Sequence, residues 1–275
     1  MTPSSDLNDV SKTIMLVGAG KMGAAMLQGW LARGLDPSQV VVVEPQPADE
    51  IKALVARGVQ LNADKTSEAA AIVIAVKPQA ADGVVPPLAK TVGASTVVVS
   101  IMAGKTLGFL GEALPNAAIV RAMPNTPAAI GRGITVAVPN AQVSGAQRDL
   151  AHRLLAATGK VEWIDDESLM DAVTALSGSG PAYVFLLAES LARAGIAAGL
   201  PVDLAAKLAR ETVAGAGELL HRSAHGAATL RQNVTSPGGT TAAALEILMA
   251  AADGLDPLLA KAIAAAVKRS GELAG

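Results

Sequence analysis

Two short segments of this chain place small residues and hydroxyls where enzyme sites usually place charge. One is Leu176-Ser177-Gly178-Ser179-Gly180-Pro181-Ala182-Tyr183, and the other is Val234-Thr235-Ser236-Pro237-Gly238-Gly239-Thr240-Thr241. Neither contains a His, a Lys or an acid. Backbone N–H groups in such a segment converge on an anion, above all where the segment opens a helix. This suits a site that holds a carboxylate and guides a hydride. It does not suit a site that must hand a strong acid to a ketone. Taken alone, the second segment reads more readily as a loop with Thr240 as its helix N-cap.

A third segment, Gly18-Ala19-Gly20-Lys21-Met22-Gly23, follows an apolar run and precedes a helical pattern. In a G-x-G-x-x-G of this context the first glycine allows the tight turn. The second lets the backbone approach a diphosphate, and the third packs helix on strand. Glu44 ends the next apolar run, where an acid grips the ribose hydroxyls of NAD and repels the 2′-phosphate of NADP. Pro45-Gln46-Pro47 offers no arginine for that phosphate, so the expected cofactor is NADPH or NADH with a lean to NADH. Lys52 and Arg57 are the nearest cations in sequence, and Glu44 also reads as a solvated strand end.

These motifs need a scaffold, and the apolar runs supply one. Thr13–Val17, Val40–Val43, Ala71–Val76, Thr96–Ser100, Ala118–Arg121 and Ile134–Val138 read as strands alternating with helices. That alternation gives the expected fold class: an α/β, N-terminal, Rossmann-like, doubly wound parallel sheet. Val76-Lys77-Pro78, Ser100 to Gly104 and Arg121 to Pro127 read as loops at its carboxyl edge, where such sheets bind ligands. Beyond Trp163 the patterns are helical: Asp171–Leu176, Pro181–Ala198, Val202–His221, Thr240–Ala252 and Asp256–Gly271. Several are apolar around most of their circumference, the mark of an all-α C-terminal dimerisation domain. The expected division is a disordered tail over 1–12, a dinucleotide-binding domain over 13–168 and a helical substrate-binding domain over 169–275.

Composition narrows the function classes. Of the 275 residues 51% are hydrophobic and 17% charged, against roughly 25% charged in an average soluble domain. A chain this apolar is expected to hide surface between subunits. The net charge of −2 comes without a basic block, which argues against nucleic acid. No apolar run reaches the roughly 18 residues of a membrane span. The absence of cysteine excludes disulfides, thiolate catalysis and cysteine-held zinc. With no signal-peptide pattern at the start, a cytoplasmic protein is expected. Glu218, His221 and His225 share helical spacing, but an exposed helix end is the better reading, so no metal is expected. His152 reads as a solvated surface histidine. Tyr183 reads as either a pocket wall or a packing residue.

The blocks GAGKMG from Gly18, AVKP from Ala75, RAMPNTP from Arg121, LSGSGPAY from Leu176 and VTSPGGTT from Val234 stand in an order that resembles the pyrroline-5-carboxylate reductases. The resemblance runs from Ile14 to about Gly271. It implies a homodimer interlocked through the helical domain, often assembled further as a ring of dimers, that reduces a cyclic imine carboxylate. It also implies that the Gly18–Gly23 loop and Val76, Lys77 and Pro78 hold cofactor, with Met102, Ala103 and Asn125 near the nicotinamide. Ser236, Pro237, Gly238, Gly239, Thr240 and Thr241 would form the substrate site, with Thr241 facing the imine nitrogen. The β-hydroxyacid dehydrogenases are a competing class. Aligned on Gly178-Ser179-Gly180, their catalytic lysine falls at Val184, which cannot move a proton. A non-catalytic dinucleotide sensor would not need the Ser236–Thr241 loop.

Overall fold

The computed structural model describes residues 6–63 and 69–274. It divides into two compact units. The first runs to Gly178 and includes the end of the chain from Val267; the second is Ser179–Ala266.

The first unit is built on eight strands: β1 (Ile14–Val17), β2 (Val40–Val43), β3 (Gln60–Leu61), β4 (Ala71–Ile74), β5 (Val97–Ser100), β6 (Ala118–Met123), β7 (Gly133–Pro139) and β8 (Gly159–Trp163). Their order in the sheet is β3-β2-β1-β4-β5-β6-β7-β8. Every neighbouring pair is parallel except β6 and β7. The sheet is the expected doubly wound, Rossmann-like one, predominantly parallel with a single antiparallel pair. The chain returns from β6 through a 3₁₀ turn at Thr126–Ile130 without a crossover helix, and a direct return must reverse direction.

Strands of apolar residues on both faces need cover on both, and alternate residues take opposite sides. Ile14, Leu16, Val40, Val42, Val97 and Val99 join one cluster, with Trp30 of α1 (Lys21–Ala32), Ile51 of α2 (Asp49–Leu54) and Leu154 of α5 (Gly145–Ala156). Met15, Val17, Val41, Ile72 and Val98 join the other, with Ala81 of α3 (Ala81–Val84) and Leu110 of α4 (Leu107–Ala113). The Trp30 indole donates to the Leu154 carbonyl at 2.9 Å, so this fully buried ring leaves no polar atom unsatisfied.

The expected disordered tail over 1–12 does not describe residues 6–12, and residues 1–5 lie outside the described residues. Leu7 is fully buried, its N–H donates to the Arg33 carbonyl at 2.9 Å, and Arg153 bonds Asp6 and Asp9. That arginine holds the Asp9 carboxyl below its usual range. Burial of one leucine is worth about 1.5–3 kcal/mol, whereas an exposed ion pair is worth about 0–1. Leu7 is the anchor.

After β8 come α6 (Met170–Val173) and a π-helical turn, Thr174–Gly178. The second unit holds α7 (Gly180–Ala197), α8 (Val202–Arg222), α9 (Ala227–Asn233), α10 (Thr240–Leu248) and most of α11 (Leu255–Ala274). The helix α9 is not among the elements expected from the sequence. α7 and α8 form a hairpin closed at Gly195, where a Cβ would lie 3.3 Å from that of Ala205. α7 has no fully buried residue, and α8 has only Ala205 and Ala209. Phe185, Leu186, Ile247 and Leu258 are more than half exposed. Among the described residues, no helix is long and apolar enough to cross a membrane.

Candidate active site

Five neighbouring parallel strands, β2-β1-β4-β5-β6, end on the same edge. To that edge they bring Glu44, the Gly18–Gly23 loop, Val76-Lys77-Pro78, Met102-Ala103 and Asn125. The strand order reverses between β1 and β4, and the glycine loop follows β1 at that crevice.

The three glycines differ in what holds them. Gly18 sits at φ +93°, and a Cβ there would be 2.8 Å from the Ala75 carbonyl group. At Gly23 a Cβ would be 2.3 Å from the Gly18 carbonyl oxygen. At Gly20 it would meet nothing within 4 Å. The first and third glycines are thus required by the protein itself. The second is exposed at the N-cap of α1, where no side chain caps the helix and its first turn carries no acid. This cradle, uncapped at the start of α1 and with backbone open at Gly20, fits a dinucleotide diphosphate.

Glu44 is half-buried and tied to that cradle. Its Oε2 accepts from the Ala19 N–H at 2.9 Å, and its Oε1 accepts from the Gln46 N–H at 3.1 Å. Each carboxylate oxygen keeps a lone pair for a ribose hydroxyl. The position of Glu44 is in turn set by Asn62, which sequence reasoning missed. The Asn62 Oδ1 accepts from the Glu44 N–H at 2.8 Å, and its Nδ2 donates to the Glu44 carbonyl at 2.9 Å. The amide thereby extends the pairing of β2 beyond the end of β3. Asn62 sits at φ +49°, a region asparagine tolerates better than most residues.

A second missed group lies under the loops. Arg121, read from sequence both as the end of the strand Ala118–Arg121 and as the start of a loop, lies inside β6 and is buried. Its Nη1 donates to Glu167 Oε1 at 2.7 Å, and the same oxygen accepts from the Leu107 N–H at 2.8 Å. One carboxylate therefore joins β6 to the start of α4, just after Met102 and Ala103. Met102 is buried, and Ala103 is exposed. Lys77 is exposed at the start of a 3₁₀ turn that begins at Pro78.

The two glycine–hydroxyl segments are built differently. Leu176–Gly178 is not a loop opening a helix but part of the π-turn that runs almost directly into α7. Ser236–Gly239 is a tight turn: Pro237 is its second residue, Gly238 sits at φ +68°, and the Gly239 N–H donates to the Ser236 carbonyl at 3.1 Å. Proline then glycine is the sequence such a turn requires. Gly239, not Thr240, is the N-cap of α10, and no side chain caps it. The first helical bond runs from the Ala243 N–H to the Gly239 carbonyl. The N–H groups of Thr240, Thr241 and Ala242 head the helix, with Ser236 exposed and Thr241 half-buried beside them.

His152 is half-buried rather than solvated, and its Nδ1 accepts from the Trp163 indole at 3.2 Å. Tyr183 is half-buried in the first turn of α7. Among the described residues no cluster of His, Cys, Asp and Glu is arranged for a metal ion.

A family model described as pyrroline-5-carboxylate reductase dimerisation matches residues 167–273. Another, described as NADP oxidoreductase, coenzyme F420-dependent, matches residues 13–104. A pyrroline-5-carboxylate reductase of Pseudomonas aeruginosa is 40% identical over 268 residues, covering 95% of this chain and 96% of its own. One of Synechocystis is 40% identical over 263 residues, covering 94% and 97%. Among solved structures, a pyrroline-5-carboxylate reductase of Coxiella burnetii superposes with a TM-score of 0.87 at 34% identity, covering 96% of this chain and 99% of its own. The NADP-bound pyrroline carboxylate reductase of Plasmodium falciparum gives 0.80 at 28%, also covering 96% and 99%.

Proposed function

The chain belongs to the pyrroline-5-carboxylate reductase family, and on that premise we propose which of its residues carry the reaction. The enzyme reduces the C=N bond of Δ1-pyrroline-5-carboxylate with a pyridine nucleotide, giving proline in the final step of proline biosynthesis. When bound, the nicotinamide supplies the hydride that adds to the imine carbon. The π electrons of C=N move to nitrogen, which carries a proton in the iminium form. The product is a secondary amine.

The substrate is held by the start of α10. Its carboxylate lies on the N–H groups that follow Gly239 and accepts from the Ser236 hydroxyl, while the turn through Pro237 and Gly238 keeps side-chain bulk away. The observation that carries this is the uncapped N-terminus of α10, which presents N–H groups and the positive end of the helix together. The Thr241 hydroxyl faces the nitrogen: its oxygen accepts from the iminium N–H, and its O–H donates to the lone pair of the neutral imine or of the amine formed. No strong acid is needed there, because a pyrroline imine protonates near neutral pH and orientation carries most of the rate.

On the cofactor side, Gly18, Ala19, Gly20, Lys21, Met22 and Gly23 hold the diphosphate. Val76, Lys77 and Pro78 border it, and Met102, Ala103 and Asn125 border the nicotinamide. Glu44 takes the ribose hydroxyls and disfavours a 2′-phosphate, so the preferred cofactor is NADH. The C-terminal helical region is the family's dimerisation domain. Two copies join through it, and dimers assemble into a ring.

The test is initial-rate oxidation of NADH and NADPH, separately, with Δ1-pyrroline-5-carboxylate as acceptor. A higher kcat/KM with NADH is expected. Equal or reversed values would remove Glu44 from cofactor selection.

A further inference from the structure

The π-turn Thr174–Gly178 is fastened at two points to the end of β6 and the segment that follows it. Ser177 Oγ accepts from Asn125 Nδ2 at 3.3 Å, across 52 residues of chain. One residue on, a Cβ at Gly178 would lie 2.5 Å from Met123 Cε, so the glycine lets the methionine methyl lie against the turn. The other half of the Asn125 amide is also engaged, its Oδ1 accepting from the Ile134 N–H at 3.0 Å at the start of β7. The carboxamide is therefore fixed at both ends, by β7 on one side and by the π-turn on the other.

A π-turn is rare, occurs mostly as a single turn within helical segments, and is frequent at functional sites. Here it serves to bring one particular hydroxyl to Asn125. In a regular α-helix the side chains past Thr174 would be rotated to other bearings.

We propose that Ser177 is a positioning residue for hydride transfer: by accepting from Asn125 Nδ2 it sets the orientation of the Asn125 carboxamide and of the β6 loop beside the nicotinamide. The proposal rests on the assignment of Asn125 to that side of the cofactor. Ser177 acts through Asn125, so its loss is expected on alignment and not on affinity.

The experiment uses the full-length enzyme with three substitutions, Ser177→Ala, Ser177→Thr and Asn125→Ala. Ser177→Ala is expected to lower kcat roughly tenfold or more, as small misplacements of reacting groups do, while the KM for NADH stays within about twofold. The primary deuterium isotope effect with NADH deuterated at C4 should rise, because the slowed hydride step limits turnover more fully. Ser177→Thr should restore both. A Ser177→Ala enzyme with a lower melting temperature but unchanged kcat and isotope effect would reduce the hydroxyl to a packing contact and overturn the proposal. If Asn125→Ala also leaves turnover and NADH binding unchanged, the assignment of Asn125 fails as well. If Asn125→Ala slows the hydride step and Ser177→Ala does not, only the positioning role of Ser177 fails.

Discussion

Single residues divide here by whether their role lies in their own backbone or in a distant partner. The glycines, Pro237 and Glu44 are legible in sequence because turn chemistry and strand-end position are local properties. Asn62, Glu167 and Ser177 are not, because each acts across 18, 46 or 52 residues on a partner that no local period announces. The legible set can be tested at two positions. Thr241→Ala should cut kcat by about 10²-fold, the usual loss for one well-placed donor. The NADH dissociation constant should not move, and stopped-flow turnover beside a fluorescence titration separates the two. Glu44→Gln keeps an acceptor for the Ala19 N–H but removes the charge, so the ratio of kcat/KM for NADH to that for NADPH should fall. A fixed ratio would leave the acid as a clasp for the loop alone.

Among the elements, strands β1, β2, β4, β5, β6 and β7 are legible as short apolar runs bounded by turn residues. β3 has two residues, too few for any pattern. β8 alternates Lys160 and Glu162 with Val161 and Trp163 and lies at the sheet edge, so its signal is diluted. The π-turn reads as ordinary helix, since side-chain spacing over a single turn does not distinguish the two. The β1–α1 turn offers a paired test of how its glycines divide their work. Gly18→Ala forces a Cβ against the Ala75 backbone at positive φ, and should cost about 1–3 kcal/mol or more of stability. Gly20→Ala meets no protein atom, so its urea midpoint should stay close to that of the parent, while NADH affinity falls. If both substitutions act alike on stability, the space at Gly20 is not reserved for a ligand.

For the whole molecule, composition alone marks the helical region as a surface that needs covering. Its low charge and all-round apolar helices correspond to exposed Phe185, Leu187 and Leu258 in a single copy. Phe185→Glu should therefore shift the sedimentation coefficient toward the monomer and reduce activity, while NADH quenching persists in the first unit. A dimer that survives Phe185→Glu and a second change, Leu258→Glu, would place the interface elsewhere. What composition could not show is the path of the chain between units. The helical unit is an insertion, left at Ala266 and entered at Ser179. The closing turns of α11 return to the first unit, where the hydroxyl of buried Ser270 donates to the Asp171 carboxylate at 2.7 Å. During synthesis the N-terminal part of a protein folds first. Here that part stays short of a piece of its own until the helical unit has been made and the segment from Val267 follows it. The nucleotide-binding half is begun first and completed last.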